Sequence, residues 1–260
     1  MHSLSIIKIG GNIIDDETKL AAFLDVFAAV KGKKILVHGG GKLATKLAEG
    51  LGIRQQLVDG RRITDAETLK IVTMVYAGTI NKNIVAQLQA RGCNALGLTG
   101  ADGNAILAHK RGGAAIDYGY VGDVDAVDAA FLASLLEQDK VIVFAPITHD
   151  GKGQLLNTNA DTIAQEIARG LSGSFGTTLV YSFEKSGVLM NAEDESSVIG
   201  QIDAAYYQEL KQRQVIFAGM IPKLDNAFAA LRSGVGRVII GRAEELPQLL
   251  AGQSGTTIVP

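Results

Sequence analysis

The chain has no tryptophan, one cysteine and four histidines among 260 residues, and each shortage closes off a class of chemistry. A lone cysteine, Cys93, forms no intramolecular disulfide and builds no thiolate metal cluster, so a reducing compartment fits. The histidines, at positions 2, 38, 109 and 149, are scattered and give no metal-ligand spacing. H-E-x-x-H, G-x-S-x-G and G-x-G-x-x-G do not occur, and Lys42 is followed by Leu43, so the 39–42 run is not a Walker A loop. No apolar stretch approaches the roughly 20 residues that a membrane helix needs. A first strand that starts within about five residues of Met1 leaves no room for a secretory signal, and a cytoplasmic protein is expected. The net charge of -2 offers no cationic surface for nucleic acid or an anionic membrane. A small molecule is the default partner.

What the chain does hold is a globular composition, 47% hydrophobic and 20% charged, with length for one large α/β domain or two lobes. Ser5-Ile6-Ile7-Lys8-Ile9 is an apolar run with one lysine, followed at once by Gly10-Gly11. Lys34-Ile35-Leu36-Val37-His38 repeats the arrangement before Gly39-Gly40-Gly41. Strand, glycine turn, helix is the geometry that aims backbone N–H groups at an anion. Two such turns by residue 41, one with a lysine at its mouth, predict a phosphate site.

Apolar spacing predicts helices over 15–30, 42–51, 65–77, 80–91, 125–139, 161–171, 204–212 and 224–233. Strands are predicted at 95–99, 140–146, 177–181 and 237–240, with an irregular, glycine-rich hairpin at 110–122. Alternation of strands and helices along the whole chain means a mostly parallel open sheet covered on both faces. The turn at 172–176 and the polar stretch 191–197 are the candidate lobe boundaries. Chemistry must rest on Lys, Gly, Asp, Asn and Arg, and three further segments gather those types at element ends: Gly60-Arg61-Arg62-Ile63-Thr64, Asn157-Thr158-Asn159-Ala160-Asp161 and Gly219-Met220-Ile221-Pro222-Lys223.

With the two glycine turns, these make five ordered motifs in which the sequence resembles the amino acid kinase family over essentially its full length. The resemblance implies a three-layer α/β/α sandwich, with an acyl-glutamate-binding lobe over 1–172 and an ATP-binding lobe over 173–260. It implies ATP-dependent phosphorylation of the γ-carboxylate of an N-acyl-L-glutamate, with the N-acetyl form giving N-acetyl-L-glutamyl 5-phosphate for arginine synthesis. Lys8 and Lys223 match the two lysines on the transferring phosphoryl group, Lys8 near the attacking side and Lys223 near the leaving side, and Asp161 matches the acid that holds both. Arg62 matches the residue that grips the substrate α-carboxylate, Asn157 and Asn159 match amides near the amino-acid part, Gly40 and Gly41 match substrate contacts, and Gly10 and Gly11 match phosphate contacts. Mg²⁺ is expected to ride on the ATP phosphates, with no metal ligand from the protein.

A carboxylate nucleophile suits this residue set. With a pKa of about 4.3 it is already ionised at neutral pH and needs no general base. His38 is accordingly read as a structural hydrogen-bonding residue. The chain departs from the family at Ser182-Phe183-Glu184, where a Ser-Asp or Thr-Asp pair is usual, making Glu184 the candidate nucleotide-side acid, and at Ala101, where many relatives have lysine. Arginine-inhibited members carry an extra N-terminal helix that this chain lacks, so an arginine-insensitive homodimer is expected. The N-succinyl form of the substrate, and a non-catalytic nucleotide or amino-acid sensor, stay open as alternatives.

Overall fold

The computed structural model describes residues 2–58, 61–113, 116–191, 193–216 and 220–260. Gly60 and Gly219, each the first residue of a motif above, lie outside them. The chain opens with β1 (Ser3–Ile9), a short α1 (Gly11–Ile14), α2 (Glu17–Ala29), β2 (Lys33–His38) and α3 (Gly41–Gly50). A two-stranded hairpin of β3 (Gln56–Val58) and β4 (Arg61–Ile63) precedes α4 (Ala66–Thr73), a π-helical stretch Met74–Ile80, and α5 (Asn81–Ala90). Then come β5 (Ala95–Leu98), β6 (Ile106–Lys110), β7 (Gly122–Val127), α6 (Ala129–Glu137), β8 (Val141–Phe144), β9 (Ile147–His149), β10 (Leu155–Asn157) and α7 (Ala160–Leu171). The last third is β11 (Gly176–Phe183), β12 (Gln201–Ile202), α8 (Ala204–Gln212), α9 (Ile221–Arg232), β13 (Arg237–Arg242), α10 (Leu246–Ala251) and β14 (Thr256–Ile258).

Eight strands form the central sheet in the order β12-β14-β13-β11-β1-β2-β8-β5, parallel except between β13 and β14. Alternation along its strands explains the three layers. Leu4 and Ile6 of β1, Ile35 and Val37 of β2, and Ile142 and Phe144 of β8 pack on one face with Leu132, Ile163, Tyr207 and Phe228 of the helices there. Ile7, Ile9, Leu36 and Val143 point the other way, onto Phe23 and Phe27 of α2, Ile84 and Leu88 of α5, and Leu249 of α10. Each of these buried side chains contributes about 1.5–3 kcal/mol. The buried amine of Lys34 donates to the carbonyls of Phe27, Ala28 and Val30, satisfying the end of α2 at 2.8–2.9 Å.

Three sequence expectations are corrected. The predicted 125–139 helix begins later, because 125–127 belong to β7 and Asp128 caps α6 by accepting from the Phe131 N–H at 2.9 Å. The predicted helices at 65–77 and 80–91 are one continuous helical run, joined through the π-helical turn. The 110–122 segment, expected as an irregular hairpin with little core of its own, joins the antiparallel strands β6 and β7 of a second, four-stranded sheet in the order β10-β9-β6-β7, and Tyr118 and Val121 within it are buried.

Candidate active site

A cavity of about 270 Å³ opens at the carboxyl ends of β1 and β2, the end of a parallel sheet where ligands bind. Its wall takes Lys8 from the end of β1, Gly10 and Gly11 from the β1–α1 turn, Gly40 and Gly41 from the start of α3, Arg62 from β4, Asn157 from the end of β10, and Asn159 and Asp161 from the start of α7. The N-termini of α3 and α7 therefore open on the same space, where the positive ends of the helix dipoles favour negative charge.

At one end Lys8 Nζ lies 2.8 Å from Asp161 Oδ1, both side chains being mostly buried. Burial alone would raise the Asp161 carboxyl, but the charges of Lys8 and Lys223 outweigh it and hold the group below the usual carboxylate range. Lys223 occupies the first turn of α9. Burial pushes its amine down, the like charge of Lys8 adds to this, and Asp161 and Glu184 oppose it. A single carboxylate thus serves two lysines. The cap of α7 is Asn159, whose Oδ1 accepts from the N–H groups of Asp161 at 2.8 Å and Thr162 at 3.3 Å, leaving the Asp161 carboxylate to the lysines.

The other end is built differently. Arg62 is buried, and its guanidinium donates to Gly41 O at 2.8 Å, Thr45 Oγ1 at 2.7 Å and the Gln55 amide oxygen. All three acceptors are neutral, and among the described residues no carboxylate pairs with it. A buried cation held only by neutral groups is poised for an anion brought from outside. Three of its N–H groups are committed to these acceptors and the Tyr76 phenol is also within hydrogen-bonding reach, so the geometry offers the remaining donors rather than a whole free edge. Asn157 donates to Thr64 Oγ1 at 3.0 Å beside it.

The glycines divide in the same spirit. Gly40, at φ +149°, needs to be glycine for the fold, since a Cβ would lie 2.2 Å from Ile80 Cδ1 and against the Tyr76 ring. At Gly10 and Gly41 a Cβ would meet nothing closer than 3.5 and 3.8 Å. The fold leaves those two positions free, and the cavity is what a side chain there would fill.

His38 is fully buried and pushed down to about 4 by desolvation, so it is neutral at physiological pH. Its Nδ1 bonds to Gly39 O at 2.8 Å, and Asn81 Nδ2 lies 3.3 Å from Nε2. That is the structural role expected from sequence. Glu184 is exposed and borders a neighbouring depression with Lys42 and Arg242, and its charge raises Lys223.

The family model for the amino acid kinase family matches residues 3–242. The chain belongs to the amino acid kinase family. It is 59% identical over 251 residues to the acetylglutamate kinase of Cytophaga hutchinsonii, covering 96% of this chain and 95% of that one. It is 56% identical to the acetylglutamate kinase of Bacteroides thetaiotaomicron, covering 94% and 95%. The N-acetylglutamate synthase of Neisseria gonorrhoeae, solved with coenzyme A and N-acetyl-glutamate, superposes with a TM-score of 0.83 at 23% identity over all of this chain and 59% of that one. This last likeness concerns the fold alone.

Two polar wall residues of this amino acid kinase cavity were not singled out from sequence, Tyr76 and Arg111. Tyr76 sits inside the predicted 65–77 helix as an ordinary apolar-face residue, and only the π-helical turn brings its phenol to Arg62, within hydrogen-bonding reach. Arg111 falls in the hairpin read as irregular.

Proposed function

We propose that this chain transfers the γ-phosphoryl group of ATP to the γ-carboxylate of N-acetyl-L-glutamate, giving N-acetyl-L-glutamyl 5-phosphate in arginine biosynthesis. The observation that carries this reading is the two-ended cavity, with the Lys8–Asp161 pair at one end and a buried arginine held by neutral partners at the other. Such a cavity suits a small dicarboxylate. The names of its relatives, at 56–59% identity over nearly the whole chain, support the same choice.

In this reading Arg62 and Asn157 hold the α-carboxylate end, and the γ-carboxylate, ionised at neutral pH, faces Lys8. The obstacle to transfer is repulsion between two anions. Lys8 offsets charge on the entering side and Lys223 on the leaving side, while the peptide N–H groups at the starts of α3 and α7 add fixed positive dipoles. Asp161 keeps both ammonium groups in position. Mg²⁺ carried on the nucleotide would neutralise phosphate charge; among the described residues no cluster of three or more His, Cys, Asp or Glu would hold it. Glu184 belongs to the nucleotide side, residues 1–172 to an acyl-glutamate lobe and 173–260 to an ATP lobe. The assembly is read as a cytoplasmic homodimer, and light scattering that returns the 27.3 kDa monomer mass contradicts that part.

The test is ATP-dependent acyl-phosphate formation trapped as hydroxamate with N-acetyl-L-glutamate. Turnover is expected. ATP binding with no hydroxamate would replace the kinase by a sensor on the same fold.

A further inference from the structure

Tyr76 stands on the cavity wall and has no role in the transfer described above. It is 5% exposed and is carried by the π-helical turn Met74–Ile80. Such turns insert a residue into a helix, re-aim its side chains and gather at functional sites. Here the ring lies against Gly40, since a Cβ on that glycine would stand 3.1 and 3.2 Å from the ring atoms Cδ1 and Cε1. The phenol oxygen at the end of the ring is within hydrogen-bonding reach of Arg62.

We propose that Tyr76 binds substrate directly, donating its phenol O–H to the same α-carboxylate that Arg62 grips. The inference rests on the kinase reading above. A guanidinium has five N–H donors and no acceptor, so between these two side chains the arginine donates and the phenol oxygen accepts. The phenol's own proton then needs an acceptor of its own. Among the described residues none takes it: the oxygens gathered around Arg62, on Gln55, Gly41 and Thr45, each receive an arginine N–H. Burial pushes the phenol above its ordinary value while the Arg62 charge opposes this, so the O–H keeps its proton at neutral pH. An ionised carboxylate offers about four lone-pair sites, more than the partly committed Arg62 fills, and an O–H beside the fork serves one of them.

Packing alone does not account for the hydroxyl. A phenylalanine would lie against Gly40 equally well and bury no polar group, whereas a buried tyrosine O–H ordinarily has a partner. The substrate carboxylate supplies that partner.

The test is steady-state kinetics of Tyr76→Phe, which keeps the ring and removes the hydroxyl. The hydroxamate assay is run with N-acetyl- and N-succinyl-L-glutamate and read on whichever the wild-type protein turns over faster, so that the outcome does not depend on the acyl group. KM for the amino-acid substrate is expected to rise about tenfold, as for loss of one donor to a charged group, with kcat and KM for ATP changing less than about twofold. Tyr76→Met, which fills the space without a hydroxyl, should repeat the defect. The cycle with Arg62→Gln separates contact from bracing. Removing a phenol that touches the carboxylate should lower kcat/KM of the Arg62→Gln protein by a further threefold or so, whereas a phenol that only braces the guanidinium has nothing left to brace. No further loss in the double variant overturns the inference, as does an unchanged KM in Tyr76→Phe or a fall in kcat alone. A wild-type protein that turns over neither substrate removes the kinase reading itself.

Discussion

The two ends of the cavity hold their cations in opposite ways. Lys8 and Lys223 share one acid: their charges depress Asp161, and Asp161 in turn opposes the burial that pushes Lys223 down. Arg62 is held by an amide, a carbonyl and a hydroxyl, none of which cancels its charge. Paired cations are positioned before any ligand arrives, which is what developing phosphoryl charge requires of them. A cation with neutral partners keeps its charge for binding. The arrangement thus divides catalysis from recognition, and variants at the two ends should divide in the same way.

The largest effect is expected at the lysine end. Lys8→Ala and Lys223→Ala should each lower kcat on the order of 10²–10³-fold with little change in KM for N-acetyl-L-glutamate, the size seen when one transition-state donor is removed. A raised KM at unchanged kcat would place these lysines in binding instead. Next comes Asp161→Asn. Because Asp161 raises Lys223 against burial, its loss should move the alkaline limb of the kcat profile to lower pH as well as lower its plateau. An unmoved limb would separate Asp161 from the lysines.

Arg62→Gln should raise KM for N-acetyl-L-glutamate about 10–100-fold, with kcat and KM for ATP changing far less. A fall in kcat of the Lys8→Ala size would erase the contrast between the two ends. Glu184→Gln, which removes an exposed and therefore solvent-screened charge, should change kcat less than about threefold. The smallest effect on activity should come from His38→Gln, whose readout is stability. The histidine is neutral in the fold, with its pKa lowered to about 4, whereas the unfolded chain protonates it near 6.5. Wild-type stability should therefore fall as pH drops from about 6.5 to 4, by on the order of 3 kcal/mol, and flatten below. The same slope in the variant would assign the acid loss to other groups.

How far the sequence reached follows the same divide. The lysine end was readable because its parts lie in short segments with fixed geometry: a lysine on a buried strand before two glycines, an acid two residues past an Asn cap, a lysine in a proline-started first turn. Continuous apolar runs, buried on both faces, made the central sheet legible for the same local reason. The arginine end depends on contacts between distant segments. That Gln55, Gly41 and Thr45 converge on Arg62, or that a π-helical turn delivers Tyr76 and Asn81, has no local signature. β9, β10 and the β6–β7 pair were misread or passed over because three-residue strands and a glycine-rich connection show no clear period, and their pairing is decided across the chain. Arg111 was hidden with them.

The most direct test of the divided cavity is steady-state hydroxamate formation from N-acetyl-L-glutamate and ATP by Lys8→Ala and Arg62→Gln, each followed over both substrate concentrations. The expected result is a kcat defect in the first and a KM defect for the amino-acid substrate in the second. The same defect in both, whichever parameter it falls on, contradicts the account.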